Sequence, residues 1–395
     1  MKILFISRWF PFPPNNGSKI RIFHLIKRLA SHHEITLLSF YEPDEGEPDP
    51  GELGSFCKSI YTIPRKSFSP SSWRSIMGLF SWSPRSFVDT FSRKLVNRIA
   101  DLINTQHFDL VIASQIDTAA YGKYFQGLPA LFEEVESGTL YEQYIHADSI
   151  LRRFRNGLTW FKYQVFLNKT LHYYQACTVV SEVEEQVLSN FVDRSMMINI
   201  IPNCVDIRLS NGVSEKRQKN TIIFTGSFTY EPNFEAMVWF TREVFPQILS
   251  SAPESQLVIT GNHANRPLPN MEHVLLTGYI DDVRPYLAGA CCSIVPILKG
   301  GGTRLKILEA LALNTPVVST SKGVEGLDFC HGEHLLIADS VQDFAEATIM
   351  LMSDQALRER LSKNARQRLL ERYNWDVVMP VFLSIIEKIG LENHD

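Results

Sequence analysis

Three consecutive glycines that run straight into a helix-forming segment make a seat for an anion. Residues Pro296 to Leu327 read PILKGGGTRLKILEALALNTPVVSTSKGVEGL. An apolar strand ends at Pro296, Gly300, Gly301 and Gly302 follow, and the helical pattern opens at Thr303 or Arg304. Glycines let a backbone come within contact distance of a bound group. The helix start behind them offers free N–H groups and a partial positive charge. Arg304 and Lys306 add formal charge where the helix dipole would favour acids, which implies an anion to receive them, and a diphosphate fits. Glu309 lies one turn further on, with Leu305, Ala312 and Leu313 as its i−4, i+3 and i+4 neighbours. A carboxylate among apolar side chains is paired or functional. An i,i+3 pair with Lys306 would be structural and weak. A carboxylate that accepts both vicinal hydroxyls of a ribose would be functional.

These residues need a scaffold, and the rest of the chain supplies an alternating one. Short β-branched and aliphatic runs alternate with longer amphipathic stretches, the pattern of parallel sheets covered by helices. The first series of strands is expected at Lys2–Ser7, Glu34–Phe40, Ser59–Ile63, Asp109–Ala113, Ala130–Val135, Ala176–Ser181 and Ile198–Ile201. A polar stretch without periodicity, Asn203–Asn220, reads as a linker. The second series follows at Thr221–Gly226, Gln256–Gly261, His273–Gly278, Cys292–Pro296, Pro316–Ser319 and Leu335–Ala338. The fold class expected is α/β, with two Rossmann-like domains facing across a cleft. The domains are placed at 1–205 and 206–375. Residues 376–395 form a last helix, with Val378, Phe382, Ile385, Ile386 and Ile389 at helical spacing, that crosses back to the first domain.

Composition narrows the functional classes. A chain of 395 residues exceeds one hydrophobic core. Its net charge of −4 gives no electrostatic case for nucleic acid. Six cysteines at 57, 177, 204, 291, 292 and 330 show no CxxC and no zinc-ligand spacing, so they read as scattered core thiols and no metal site is expected. The apolar run Ile3–Ile6 is too short for a signal-peptide core, and no stretch approaches the roughly 18 residues of a membrane span. A cytoplasmic protein, or one peripheral on the inner face of the cytoplasmic membrane, is the expectation.

Almost the whole chain resembles the GT-B glycosyltransferases, specifically the retaining family 4. The pieces come in family order: MKILFISRWFPFPPNNGSKIRIFHLIKRLA, TVVSEVEEQVL, IIPNCVD, FTGSFTYEPNFEAMVWF, LLTGYIDDVRPYLAGACCSIVPI and GGGTRLKILEALALNTPVVST. The resemblance implies transfer of a sugar from a UDP- or GDP-linked donor to a hydroxyl of a glycan or polyprenyl-linked acceptor in polysaccharide assembly. No cofactor is implied beyond this co-substrate. Glu309 matches the second glutamate of the family's E-x7-E motif, which holds the donor ribose, and the first falls at Gly301. Relatives carry an Arg and a Lys for the diphosphate after Gly226. Here Ser227, Pro232 and Asn233 stand there, so Arg304 and Lys306 are the replacements. The resemblance also assigns Gly17, Ser18 and Lys19 to a glycine loop near the diphosphate, Tyr279 to the base, and Gly226, Ser227, Gly302 and Thr303 to the donor. Glu134 or Glu136, in FEEVES, is assigned to the acceptor or reacting sugar, with Glu136 taken as catalytic beside Arg304 and Lys306.

Two other readings carry their own signals. The missing glutamate at Gly301 suits a non-catalytic GT-B nucleotide-binding or scaffold protein in a polysaccharide assembly complex. An oxidoreductase is disfavoured because SRWFPFPPNNG, not G-x-G-x-x-G, follows the first strand. No Asp-x-Asp occurs, which argues for a metal-independent reaction. Two stretches mix bases with aromatics. Cys57–Arg98 holds eight Lys and Arg against one acid, Asp89, and Leu151–Tyr174 holds five against none. Such mixtures suit an anionic membrane surface, or a basic helix face with aromatics in the core.

Overall fold

The computed structural model describes residues 1–210, 213 and 215–391. The chain divides into two compact units, Met1–Pro202 together with the chain from Met379 on, and Asn203–Val378.

The first unit holds seven parallel strands: β1 (Lys2–Ser7), β2 (Glu34–Tyr41), β3 (Ser59–Pro64), β4 (Leu110–Ser114), β5 (Ala130–Glu133), β6 (Ala176–Val179) and β7 (Met197–Ile200). Their order is β3-β2-β1-β4-β5-β6-β7, so the chain reverses its direction of winding between β1 and β4. Leu4 pairs with Thr36 on one side and Val111 on the other, and Ile3 to Ile6 are fully buried. A continuous apolar run suits a central strand because both faces of a parallel sheet are covered. The second unit repeats the plan with β8 (Gln218–Thr225), β9 (Gln256–Thr260), β10 (Val274–Gly278), β11 (Ala290–Val295), β12 (Val317–Ser319) and β13 (Leu336–Ile337). Its order, β10-β9-β8-β11-β12-β13, puts the reversal between β8 and β11. Ligands of such sheets bind beyond the carboxyl ends of the strands at this switch point.

Six helices matter below: α1 (Gly17–Leu29), α2 (Trp73–Met77), α3 (Ile150–Leu171), α4 (Glu231–Trp239), α5 (Leu305–Ala312) and α6 (Trp375–Leu391). Phe382, Ile386 and Ile389 of α6 are fully buried. Near its end, a Cβ on Gly390 would lie 3.0 Å from the Met1 sulfur. Residues 392–395 lie outside the described residues. No helix among the described residues is long and apolar enough to cross a membrane.

All thirteen expected strands form, with shifted ends that have physical causes. β8 begins at Gln218 because its backbone pairs with Ala290 although the side chains there are polar and exposed. The linker expected to run to Asn220 therefore stops earlier. It contains a 3-10 turn at Ile207–Ser210, and Asn211, Gly212 and Ser214 of it lie outside the described residues. β5 ends at Glu133, not Val135, because Glu134 takes a φ of 61°. Gly17, Ser18 and Lys19 are not a loop but the first turn of α1. Asn16 caps that turn, its side chain accepting the Lys19 N–H at 2.9 Å.

The core of the first unit contains an ion pair. The Arg21 Nε donates to Glu133 at 2.6 Å, with both side chains essentially inaccessible, and Ser114 Oγ donates to the other carboxylate oxygen at 2.6 Å. Breaking a buried pair from one side leaves an uncompensated charge. Glu133→Ala is expected to cost the first unit about 3–5 kcal/mol. The measurement is the urea midpoint, and a midpoint equal to the parent's would show that the pair is not a structural anchor.

Candidate functional site

The switch point of the second sheet gathers the glycines and charges that the sequence singled out. β8 delivers Gly226 and Ser227 from its carboxyl end, and β11 leads into the glycine loop and α5. Gly226 has a φ of 155°, and a Cβ there would stand 2.7 Å from Asn233 Nδ2 and 2.8 Å from Lys306 Nζ. Only glycine lets the lysine pass under this loop. Lys306 Nζ donates to Asn233 Oδ1 at 2.9 Å and sits 4.0 Å from the centroid of the Phe224 ring. Asn233, in the first turn of α4, donates in turn to the Ser227 carbonyl at 2.9 Å. The amide thus ties the β8 loop to the lysine of α5.

Burial, reinforced by the charge of Arg304 and opposed by that of Glu309, pulls the Lys306 ammonium down to about 7. Burial pushes the Glu309 carboxyl up to about 7 against the attraction of Lys306. Glu309 is half-buried, and among the described residues no hydrogen bond or ion pair reaches its carboxylate. A polar group held in an apolar setting without a partner is costly unless something else supplies one.

Arg304 does not occupy the first turn of α5, as the sequence reading had it. It is the extended residue just before the helix (φ −90°, ψ 91°), and α5 starts at Leu305. Its guanidinium is buried and donates to the carbonyls of Gly300 and Gly301. It therefore closes the glycine loop on itself. Gly300 (φ 100°) and Gly302 (φ 79°) take left-handed conformations, and a Cβ at Gly300 would stand 2.9 Å from the Tyr230 hydroxyl. Thr303 Oγ1 accepts from Asn203 Nδ2 at 2.6 Å. Ser227 Oγ contacts Thr229 Oγ1 at 2.8 Å and donates to the Asn262 carbonyl at 3.0 Å. Tyr279 follows β10 at the edge of the sheet and is 62% exposed. Two strand spacings, about 10 Å, separate β10 from β8.

In the first unit the two candidate glutamates separate. Glu136 is exposed, and its carboxylate accepts the Thr139 hydroxyl at 2.8 Å. Glu134 is half-buried, and Gln115 Nε2 donates to it at 3.3 Å. Burial, and then the charge of Glu133, push its carboxyl up to about 8. Glu134 and Gln115 (φ 70°) both hold the left-handed region at the ends of neighbouring strands, a costly conformation for such residues. Lys19 is buried with its Nζ 3.5 Å from Glu45. It borders a cavity of about 210 Å³ that Trp9, Phe10 and Phe12 also line.

Sequence reasoning missed Asn233 as a bridge, because an amide replacing an expected lysine read as a loss. It also missed this cavity, whose signal was the aromatic-proline run WFPFPP after β1. Five cysteines are buried as expected, but Cys330 is exposed. Its Sγ lies within 4.8 Å of a donor atom of both Glu333 and His334. His334 Nδ1 already accepts the Cys330 N–H at 3.0 Å.

Residues 219–354 match the family described as glycosyl transferases group 1. An uncharacterized 44.6 kDa protein in the cps region of Klebsiella pneumoniae is 22% identical over 401 aligned positions, 94% of this chain and 96% of that one. The family match lies within the second unit and marks the protein as a glycosyltransferase. Among solved structures, sucrose-phosphate synthase from Thermosynechococcus elongatus superposes on this glycosyltransferase with a TM-score of 0.70. Identity is 18%, with 99% of this chain and all of that one covered. HepE of Anabaena, solved in complex with UDP-glucose, gives 0.67 at 12% identity, with 98% and 100% covered. The fold of the transferase is therefore GT-B.

The raised Glu309 carboxyl has a consequence for the stability of the transferase. Unfolded, a glutamate ionises near 4.5, whereas here it does so near 7. Its ionised form therefore destabilises the fold, from pH 4.5 upward and fully above 7. Glu309→Gln is expected to raise the thermal midpoint at pH 8 by about 2–4 °C, a gain that shrinks toward zero near pH 4.5. Scanning calorimetry at pH 5 and pH 8 reads this. A lowered midpoint at pH 8 would show that the carboxylate is held by partners of its own.

Proposed function

We propose that this glycosyltransferase moves a sugar, with retention of configuration and without a metal ion, from a UDP- or GDP-sugar to a hydroxyl of a glycan or polyprenyl-linked glycan. The observation that carries the reading is Glu309, a half-buried carboxylate without a hydrogen-bond partner one turn beyond Lys306 and the glycine loop. It is assigned to the two ribose hydroxyls. The diphosphate is assigned to Lys306, the Ser227 amide beside Gly226, and the start of α5 with Gly301, Gly302 and Thr303. Arg304 keeps the loop in shape and adds positive potential. Tyr279 is assigned to the base.

Catalysis then consists of holding the donor and stabilising the departing diphosphate. The bond from the anomeric carbon to the phosphate oxygen breaks, and the bond to the acceptor oxygen forms on the same face. The acceptor's proton passes to the leaving diphosphate. The retaining course and the roles of Gly17, Ser18 and Lys19 on the phosphate rest on the family resemblance. Of the two glutamates in the first unit, Glu134 is the one we assign to the sugar in place of Glu136. With its carboxyl up at about 8 it keeps its proton at neutral pH and can donate to a sugar oxygen. The Klebsiella relative, described from a cps region, supports a role in polysaccharide assembly.

Calorimetric titration with UDP, GDP and their sugar conjugates tests the donor site. One nucleotide should bind, and Glu309→Gln should weaken it about 10- to 100-fold, the worth of one or two hydrogen bonds to a charged group. Unchanged affinity in the variant would remove the ribose assignment. Tight binding without turnover of any donor would favour the scaffold reading raised by Gly301.

A further inference from the structure

The two basic, aromatic stretches come together on one surface of the first unit. Lys162 Nζ, on α3, donates to the carbonyls of Gly78 and Leu79 at 3.3 and 2.6 Å. Trp82 meets Phe161 edge-on at 6.4 Å. The second stretch thus docks against the 3-10 turn Gly78–Phe80 that follows α2.

Part of each stretch is core. Phe87 packs on Phe166 and Phe91 stacks on Tyr121, while Trp160 and Tyr163 are buried. The remainder points outward. Trp73 is 74% exposed, Phe80 83%, Trp82 70%, Leu151 83% and Phe154 75%. At about 100° per residue, Leu151, Phe154, Leu158 and Phe161 form a stripe roughly opposite the face of α3 that buries Trp160, Tyr163 and Leu167. The helix therefore has two apolar faces, one in the core and one largely exposed, where Phe161 meets Trp82.

The charges around this face are mainly positive. Asp89, the sole acid between Cys57 and Arg98, is fully inside, where it accepts from Lys66, the Ser69 N–H and Ser72. Arg74 and Arg85 are tied to the backbone carbonyls of Phe91 and Pro70. Arg155 borders the α3 stripe with an exposed side chain, Arg153 holds its guanidinium 5.9 Å from the centroid of the Tyr144 ring, and Arg152 pairs with Asp148.

We propose that this face is a docking surface for an anionic lipid bilayer. The Trp and Phe side chains would enter the headgroup layer, and the guanidinium groups of α3 would meet lipid phosphates. Bulky side chains standing out singly, rather than lining a groove, suit a fluid interface better than a shaped partner. A second copy fits poorly, because a two-fold contact through this face would set arginines against their own copies with few acids to pair them.

The test is co-sedimentation of the whole protein with vesicles of phosphatidylcholine alone and of equal parts phosphatidylcholine and phosphatidylglycerol. Nucleotide binding and thermal midpoint are measured alongside. Binding is expected only with the anionic vesicles and is weakened by salt. It should fall about tenfold in Arg153→Ala/Arg155→Ala and at least about tenfold in Phe80→Ser/Phe154→Ser. Both variants should keep the parent's midpoint and nucleotide affinity, since the altered side chains are exposed. Binding that ignores phosphatidylglycerol, no binding at all, or full binding by both variants would overturn the proposal. So would a dimer by light scattering that Phe80→Ser/Phe154→Ser dissociates, which would assign the face to a second copy.

Discussion

The crowding beneath Gly226 sets the form of the donor site. Lys306 has to bring an ammonium group across the end of β8, and it does so with Asn233 as its acceptor and the Phe224 ring behind it. Any side chain at position 226 would strike both the lysine and the amide. The β8 loop, the first turn of α4 and the first turn of α5 are therefore fixed together through one amide side chain. That side chain holds the Ser227 carbonyl with its nitrogen and the lysine with its oxygen. The backbone N–H groups that could face a phosphate take their positions from this arrangement.

The glycine loop is held by a second device of the same kind. A chain of three glycines has many conformations available, and left alone it would be ordered only at high entropic cost. Arg304 removes that freedom by gripping the carbonyls of Gly300 and Gly301. A charged side chain is thus used as a brace, and its formal charge remains close to the site. In the first unit the pair of Arg21 and Glu133 anchors the end of β5 in a comparable way, with Glu134 turned aside as the next residue.

The strands were legible because parallel sheets buried on both faces write long apolar runs such as Ile3–Ile6 and Ala290–Val295. Helix starts were less legible. Whether Arg304 belongs to α5 depends on where its side chain finds acceptors, and those lie in the loop before it. Glu309 could be picked out because an acid among Leu305, Ala312 and Leu313 is anomalous in any helix. Asn233 could not, since its importance lies in a three-way contact between segments 73 residues apart. The choice between Glu134 and Glu136 was likewise closed to the sequence. It turns on one left-handed backbone angle that sends one carboxyl inward and leaves the other in solvent.

Lys306 and Glu309 share a further property. Both groups change protonation near neutrality, one losing charge as the other gains it. Below neutrality the pair carries a net positive charge and above it a net negative one, beside the guanidinium of Arg304. The pull of the pair on an anion therefore fades as the pH rises through neutrality. A nucleotide diphosphate that also offers hydroxyls to the carboxylate draws out both charges at once.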